Sequence, residues 1–459
     1  MKTNPDDTTL GSRALNARAV AVNVLERVTD KGAYASRALD AELKRAALEP
    51  RDAALATEIV YGTLRVLPAL DRAIASHLRH AEARLDGFVQ ASLRAASYQL
   101  AHLGRLPTHA IVNESVSLVR DKRGAKLAGF VNAVLRKLAQ SRPEAPEPPR
   151  TLVLPEWVTD VLSDGLSPER LARFLTPHGL PPLCLRCESE LQRPELLANL
   201  QSALPGAELA LGALSPFGLI VGRAGSPRAL PGYAAGAFSV QEEGAQLVAL
   251  GLGAQPGERI ADVCAGHGGK STLFARQVAG GLAPGRVVAI DRDERKLDQI
   301  PGELRRLQLP TDCVERLAID LTIGLGGLAA DFDRVLVDAP CTGLGTMHRR
   351  PELLLRLTPA DPVRLGVLQS AILMRAAGLV RVGGVLGYAV CSPTRAEGLA
   401  VVERFSEQQP GFALVREALC QHVAAPDADG IVRIGPWLAP LGSASCPDAY
   451  QLVLWRRTR

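Results

Sequence analysis

Long hydrophobic runs are missing from this sequence. No stretch of about 18 uncharged apolar residues occurs, and the first residues, MKTNPDDTTLGS, lack the apolar segment of a signal peptide. We therefore expect neither a membrane span nor secretion, and we expect a cytoplasmic protein. The eight cysteines also lack the regular spacing of a disulfide framework, so in a reducing compartment they should be free thiols.

Two common nucleotide-binding motifs are missing as well. The absence of Gly-x-Gly-x-x-Gly argues against a nicotinamide-dependent enzyme. The segment GGKS resembles the end of a phosphate-binding P-loop, but the preceding glycine is not at the required spacing. A nucleotide in this protein would therefore need a different kind of loop.

The chain is long enough for several domains, and its charge is unevenly distributed. With 459 residues, 47% hydrophobic and 22% charged, it can form two or three globular domains. Residues 1–150 hold 23 Lys and Arg against 16 Asp and Glu, whereas the remainder holds 30 against 32. The basic first part is compatible with a polyanionic partner such as nucleic acid, or with an ordinary solvated helix surface.

The first 140 residues have the apolar periodicity of helices. Apolar residues recur three or four positions apart in FVQASLRAASYQLAHL and in LAGFVNAVLRKL. These are Val89, Leu93, Ala96, Leu100 and Leu103 in the first segment, and Leu127, Val131, Val134 and Leu138 in the second. Since each helix buries one face, the pattern predicts an all-α bundle over 1–140. Four prolines in SRPEAPEPPR predict a stiff linker over 141–150.

The rest of the chain predicts two further parts. Residues 151–235 mix short apolar runs with turn signals and predict a small α+β subdomain. In residues 236–459 the runs RIADVC, RVVAID, DRVLVDA and VLGYAVC alternate with helical segments, which predicts a mostly parallel α/β sheet of the Rossmann-like kind. One of the helices should begin with Thr358 as its N-cap. Ligands of such sheets bind beyond the carboxyl ends of the strands.

Several residues at the predicted strand ends suggest a cofactor site. IADVCAGHGGKS reads as strand, glycine turn and helix, and Gly266, Gly268 and Gly269 would let a ligand approach the backbone closely. Asp291 ends the next strand, where an acid commonly binds ribose hydroxyls, and Asp320 follows a third strand. Each acid alone is more often a surface residue, but three such features in order favour a site.

Two cysteines follow two other predicted strands. Cys341 lies in DAPC and Cys391 in YAVCS, both at the expected ligand edge. A buried structural cysteine is the usual interpretation of each alone, whereas the pair favours a reaction with two thiol roles. Methylation at carbon 5 of a pyrimidine is such a reaction, because a thiolate must add to carbon 6 and later be released. Asp338 could then bind N3 and the amine of cytosine.

Several of these motifs together resemble those of a known family. DVCAGHGGKS, AIDRD, DAPCTG and YAVCS, with GAFSVQEEGAQLVA before them, resemble the S-adenosylmethionine-dependent RNA cytosine-C5 methyltransferases of the bacterial Sun/Fmu group. Residues 1–140 resemble the NusB-like RNA-binding domain of that group, through YQLAHLGRLPTHAIVNESVSLVR and GFVNAVLRKL. The resemblance covers nearly the whole chain, and it implies a class I methyltransferase domain over 236–459 and small-subunit (16S) ribosomal RNA as the partner.

The resemblance also implies a role for each strand-end residue. Cys391 would be the nucleophile on carbon 6, Cys341 would assist product release, and Asp338 would lie between cofactor and base, with Lys270 as a further catalytic residue. Asp291 would bind the ribose of S-adenosylmethionine and Asp320 its adenine. The methionine part would lie against a loop formed by Cys264, Ala265, Gly266, His267, Gly268, Gly269 and Lys270.

The sequence departs from the family at two places. His267 replaces a proline of the family's CAAPGGKT, and Tyr450 lies in PDAYQLVLW where the family reads Asp-Gly-Phe-Phe. Cys184 and Cys187 have a zinc-like spacing, but without a second pair or a nearby histidine we expect ordinary packing and no metal. Arg349 and Arg350 are candidates for RNA phosphate contacts or for a solvated loop.

Two other functions stay open on the sequence alone. The same site could methylate transfer RNA. Alternatively, the chain could be a non-catalytic RNA-binding protein whose second domain is a degenerate cofactor fold. The intact set of Cys341, Cys391, Asp338 and Lys270 argues against degeneracy.

Overall fold

The computed structural model describes residues 16–78, 85–143, 154–176, 181–222, 225–280 and 283–459. The chain divides into two compact units, Met1–Pro149 and Arg150–Arg459. Most of the predicted linker, residues 144–150, lies outside the described residues.

The first unit is a helical bundle, as the apolar periodicity predicts. Its described helices are α1 (Ala17–Thr29), α2 (Ala35–Ala46), α3 (Pro50–Arg65), α4 (Leu67–Ala75), α5 (Gly87–His102), α6 (Thr108–Arg123) and α7 (Ala125–Gln140). The Asp86 carboxylate caps α5 by accepting from the amides of Phe88 and Val89.

Helix α5 lies at the centre of this bundle. Val89, Leu93, Ala96 and Leu100 are all buried, and Val131 and Val134 of α7 belong to the same apolar core. Burial of such a side chain contributes about 1.5–3 kcal/mol relative to its exposure.

Among the described residues, no single helix is long and apolar enough to cross a membrane. Helices α3 and α4 together have a sufficient length and apolar content, but they are bent by 78° relative to each other.

The second unit begins with two helices and a small antiparallel sheet. The helices are α8 (Glu156–Gly165) and α9 (Pro168–Leu175). The sheet has the order β2-β3-β1-β4, with α10 (Arg193–Ala203) between its first two strands in sequence. Its strands are β1 (Leu183–Cys187), β2 (Glu208–Leu211), β3 (Gly218–Gly222) and β4 (Phe238–Val240). Strand β4 therefore lies past residue 235, at which the sequence places a domain boundary.

The larger sheet of this unit has the order β10-β12-β9-β8-β5-β6-β7, and β11 also pairs with β12. Its strands are β5 (Arg259–Val263), β6 (Arg286–Asp291), β7 (Val314–Ala318), β8 (Phe332–Asp338), β9 (Val380–Val390), β10 (Phe412–Leu414), β11 (Ile431–Ile434) and β12 (Tyr450–Arg457). Strands β5 to β9 are parallel and β12 is antiparallel to β9. The predicted mixed fold, a helical bundle followed by a Rossmann-like α/β domain, is thus confirmed.

Helices cover this sheet and connect its parallel strands. They are α11 (Glu243–Gly251), α12 (Gly269–Val278), α13 (Glu294–Leu297), α14 (Ile300–Arg306), α15 (Asp361–Ala376) and α16 (Leu399–Gln408). Apolar side chains of the strands are buried on both faces, as the two core clusters of this unit show. The predicted N-cap of α15 at Thr358 is wrong: the helix begins at Asp361 with Ala360 as its N-cap, and the Thr358 amide and hydroxyl both donate to the Asp361 carboxylate.

Candidate active site

The glycine loop connects β5 to α12, and its backbone conformation explains its glycines. Cys264 has φ 62°, Gly266 58° and Gly268 78°, all in the left-handed region that L side chains rarely adopt. A Cβ on Gly268 would lie 2.5 Å from Cγ1 of Ile300, so the loop packs too closely against α14 for any side chain there. His267 is exposed in this turn.

Two acids lie at the ends of the neighbouring strands β6 and β7. The Asp291 carboxylate is buried and accepts from the amides of Gly266 and Asp293, each at 2.9 Å. Asp320 follows β7 and accepts from the amide and hydroxyl of Thr322, at 2.8 and 2.6 Å. Both hydrogen bonds lower the pKa of Asp320, and the one from the Thr322 hydroxyl has the larger effect. Both acids lie at the edge of the sheet that the sequence predicts.

An ion pair connects the glycine loop with the end of β8. Lys270, the second residue of α12, places Nζ 2.6 Å from Oδ2 of Asp338, the last residue of β8. Burial disfavours the Lys270 ammonium, but the charge of Asp338 and its hydrogen bond more than compensate, and the pKa of Lys270 is raised. Nearby, burial raises the pKa of Asp262 to about 7, although the Ser271 hydroxyl donates to it at 2.5 Å.

The two predicted catalytic thiols are in contact. Strands β8 and β9 are parallel neighbours, and Asp338 lies opposite Ala389 in their register. Cys341 and Cys391 therefore follow adjacent strand ends, and their sulfurs lie 3.2 Å apart. The hydrogen bond with Cys391, and then burial, raise the pKa of Cys341 well above its ordinary value. The site thus brings one thiol held in its neutral form against a second thiol.

Sequence reasoning misses a buried carboxylate behind these thiols. Glu397 is fully buried, and it accepts hydrogen bonds from Thr342, Ser392, Thr394 and Gln369. One signal in the sequence points to this arrangement: a hydroxyl residue directly follows each cysteine, as Thr342 and Ser392. Both cysteine loops are therefore bound to a single side chain.

Other candidates of the sequence have structural contacts. Arg349 donates to Asp448 at 3.2 Å and to the carbonyls of Pro182 and Cys446 at 2.6 and 2.8 Å, so its guanidinium holds three protein segments together rather than facing a polyanion. Arg350 is exposed.

Cys184 and Cys187 are buried in the small sheet. In the part of the chain that the structure describes, no group of three or more His, Cys, Asp or Glu side chains could hold a metal ion.

Comparisons with known proteins find similar families over both units of the chain. The family model described as 16S rRNA methyltransferase RsmB/F matches residues 249–436, and that of the NusB family matches residues 15–140. The Ribosomal RNA small subunit methyltransferase B of Thermus thermophilus is 36% identical over 87% of this chain and 89% of the relative. The Pseudomonas putida protein of the same name is 32% identical over 86% of this chain and 90% of its own length.

A solved structure has the same fold over almost the full length. The crystal structure of PH0851 matches with a TM-score of 0.77 over 97% of this chain and all of the other, at 20% identity. The chain belongs to the RsmB/F family of 16S rRNA methyltransferases and carries the NusB-family domain at its N-terminal end.

Proposed function

We propose that this protein is an S-adenosylmethionine-dependent methyltransferase that forms 5-methylcytosine in 16S ribosomal RNA through a covalent Cys391 adduct. The observation that carries the proposal is the contact of the Cys341 and Cys391 sulfurs beside the Lys270–Asp338 ion pair. Addition to a pyrimidine and release from it are two separate thiol tasks, and the site offers two thiols at one position.

The residues around the glycine loop fit the proposed cofactor. A Cβ on Gly266 would meet nothing closer than the Cys264 carbonyl at 4.0 Å, so the loop backbone is open to a ligand there. Asp291 and Asp320, at neighbouring strand ends, would accept from the ribose and the adenine, and residues Cys264 to Lys270 would hold the methionine part. S-adenosylmethionine, when bound, supplies an electrophilic methyl group.

Cys391 is the better nucleophile of the two thiols. The hydrogen bond with Cys391 and burial raise the pKa of Cys341 and hold that thiol in its neutral form, which leaves Cys391 as the attacking thiol of the pair. Its sulfur adds to carbon 6 of cytosine, and the electron pair of the 5,6 double bond makes carbon 5 nucleophilic. Asp338 accepts from the exocyclic amine of the base, which uracil lacks, and from N3 when that nitrogen carries a proton, which distinguishes cytosine from uracil.

Cys341 becomes available for the second task once the adduct has formed. The largest cause of its raised pKa is the hydrogen bond with Cys391, and that cause weakens when the Cys391 sulfur is bonded to carbon 6. Once carbon 5 carries the methyl group that the cofactor would supply, leaving S-adenosylhomocysteine, Cys341 would lose its own proton to solvent and take the proton from carbon 5. The C–H electron pair restores the 5,6 double bond, the bond between carbon 6 and sulfur breaks, and the Cys391 thiolate returns.

A denaturing gel tests this division of roles. Wild type, Cys341→Ala and Cys391→Ala are incubated with S-adenosylmethionine and unmodified 16S ribosomal RNA, and with transfer RNA as the comparison substrate. We expect Cys341→Ala to accumulate a protein–RNA adduct that survives denaturation, Cys391→Ala to form none, and transfer RNA to give none. An adduct that depends on Cys341 would reverse the roles, and an adduct with transfer RNA alone would change the substrate.

Calorimetry separates the enzyme from the non-catalytic alternative. The enzyme binds S-adenosylmethionine and releases heat on titration, whereas a degenerate domain that only binds RNA gives no signal at millimolar cofactor. A wild-type protein that binds 16S ribosomal RNA, ignores the cofactor and transfers no methyl group would overturn the proposal.

A further inference from the structure

One carboxylate receives five hydrogen bonds from the two cysteine loops and a neighbouring helix. Glu397 lies six residues after Cys391 and is 0% exposed. Thr342 donates to it twice, from the backbone amide at 2.7 Å and from the hydroxyl at 2.6 Å. The hydroxyls of Ser392 and Thr394 donate at 2.6 and 3.1 Å, and the side-chain amide of Gln369 donates at 3.1 Å. Throughout the described ranges no Lys, Arg or His side chain forms an ion pair with it.

These donors come from both sides of the reacting centre. Thr342 directly follows Cys341 and Ser392 directly follows Cys391, and their hydroxyls also contact each other at 3.1 Å. Gln369 of α15 extends the network, since it donates to the Pro340 carbonyl at 3.0 Å and accepts from the Tyr388 hydroxyl at 2.9 Å. A shift of Glu397 would therefore move both cysteines.

A buried carboxylate without a cationic partner is unfavourable unless several donors bind it. A residue that served only for packing could be uncharged at this position and would avoid that cost. The charge does reach the thiols. After the hydrogen bond with Cys391 and burial, the negative charge of Glu397 is a further cause that raises the pKa of Cys341. Tyr388, another titratable group next to Cys341, is buried and bonded to the Glu397 carbonyl at 2.7 Å.

We propose that Glu397 is a positioning residue that holds the Cys341 and Cys391 loops in contact and, through its charge, assigns the first attack to Cys391. This inference rests on the proposed function for its chemical consequence, and on the hydrogen-bond geometry alone for its structural part. Glu397 acts through Thr342 and Ser392 and touches neither sulfur in the contacts described above.

The test replaces Glu397 in the full chain by Gln, which keeps the size and removes the charge. The matched control is Glu243→Gln, because Glu243 is also buried and, among the described residues, accepts from the amides of Leu214 and Ser215, at 3.0 and 3.1 Å, and from neither cysteine loop. For each variant the thermal unfolding midpoint, kcat, and KM for 16S ribosomal RNA are measured. Iodoacetamide labelling of Cys341 and Cys391 is followed against pH without RNA or cofactor, by mass spectrometry of the peptides.

We expect Glu397→Gln to lower kcat about 100-fold with KM within about twofold, since small displacements of reacting groups have effects of this size. Its Cys341 should be labelled at a lower pH than in wild type, because a negative charge has been removed. Glu243→Gln should shift neither quantity. Equal losses of activity in both variants, with no change in the labelling of Cys341, would reduce Glu397 to a packing residue and overturn the proposal.

A second variant covers the case in which Glu397→Gln does not fold. Ser392→Ala removes one donor to Glu397 and should lower kcat about tenfold at an unchanged unfolding midpoint, whereas unchanged turnover would overturn the proposal. The labelling experiment needs no methyl transfer. A shifted Cys341 profile in a protein whose wild type is inactive would therefore reject the proposed function and leave the inference about Glu397 intact.

Discussion

The glycine loop and the two cysteine loops lie at the same edge of one sheet but are fixed in different ways. The backbone fixes the glycine loop, through left-handed residues and through the Gly266 amide bonded to Asp291. One buried side chain, Glu397, fixes the cysteine loops. The difference suits the two proposed tasks: a loop that is to bind a ligand presents its own backbone, whereas two sulfurs that are to act in one reaction need a set distance from each other.

The ion pair between Lys270 and Asp338 joins these two regions, and breaking it should have the largest effect. We expect Lys270→Ala and Asp338→Asn each to lower kcat about 100-fold, and the double variant to lose little more, because residues that act as a unit are not additive. Single-turnover methylation of 16S ribosomal RNA measures all four proteins. Lys296→Ala, which removes a half-exposed ammonium 3.9 Å from Asp291, is the control for loss of a lysine. Losses that multiply would mean that the two regions work independently.

The backbone-fixed loop should be sensitive to a single added methyl group. Gly268→Ala places a side chain at φ 78° and 2.5 Å from Cγ1 of Ile300, and we expect S-adenosylmethionine affinity to fall about tenfold, since a left-handed L residue costs roughly 1–2 kcal/mol. Calorimetry with the cofactor measures it, and RNA affinity should not change. Gly302→Ala is the matched control on α14, where a Cβ meets nothing within 4 Å. Equal cofactor affinities in the two variants would contradict the backbone account.

If the backbone fixes the glycine loop, a buried acid beside it should matter more for stability than for turnover. Burial raises the pKa of Asp262 from 3.8 to about 7, so the folded state binds its proton more tightly than the unfolded state does. This stabilisation is complete below about pH 4 and is lost as the pH rises through about 7. Asp262→Asn does not titrate, so between pH 4 and pH 8 the free energy of unfolding of the variant should rise relative to that of wild type, by an amount on the order of 4 kcal/mol.

Chemical denaturation of both proteins at pH 5 and pH 8 measures the change, and kcat should stay within about threefold. A difference in unfolding free energy that is constant with pH would show that Asp262 is ionised in the folded protein over this whole range.

The smallest effect should come from the departure at Tyr450. Burial is the main cause that raises the pKa of this phenol well above its ordinary value, so it stays protonated over the working range and adds no titration to the thiol site. We expect Tyr450→Phe to change kcat by less than about twofold, as many changes away from reacting groups do, with the pH profile unchanged. A pH–rate profile compares the two proteins. A large loss would place the hydroxyl among the reacting groups and extend the cysteine region to β12.

The strand ends are the part of the site that local sequence can predict. Cys341, Cys391, Asp291 and the glycines each follow an apolar run directly, so the position of the run fixes their position at the sheet edge. Glu397 carries no such signal. In SPTRAEGLA it has the composition of a surface turn, and its burial depends on Thr342 and Gln369, which are distant in sequence.

Two other predictions failed for a related reason. Arg349 has the sequence context of an exposed loop, yet its partners at Pro182 and Asp448 are supplied by chain segments about 100 or more residues away. At α15 the predicted cap is a donor, since the Thr358 hydroxyl, like the Thr358 amide, donates to the Asp361 carboxylate. The local sequence predicts that charged and hydroxyl side chains will form hydrogen bonds, whereas the tertiary fold decides which partners they have.

The adjacent ends of β8 and β9 have an evolutionary consequence. Neighbouring strands are about 4.8 Å apart, so a catalytic group that moves from one strand end to the other stays within reach of the same substrate atom. The fold therefore makes the two cysteine positions interchangeable in space, and only their surroundings distinguish them. A lineage could exchange the proposed attacking and assisting thiols by altering a few charges around the pair, without rebuilding the domain.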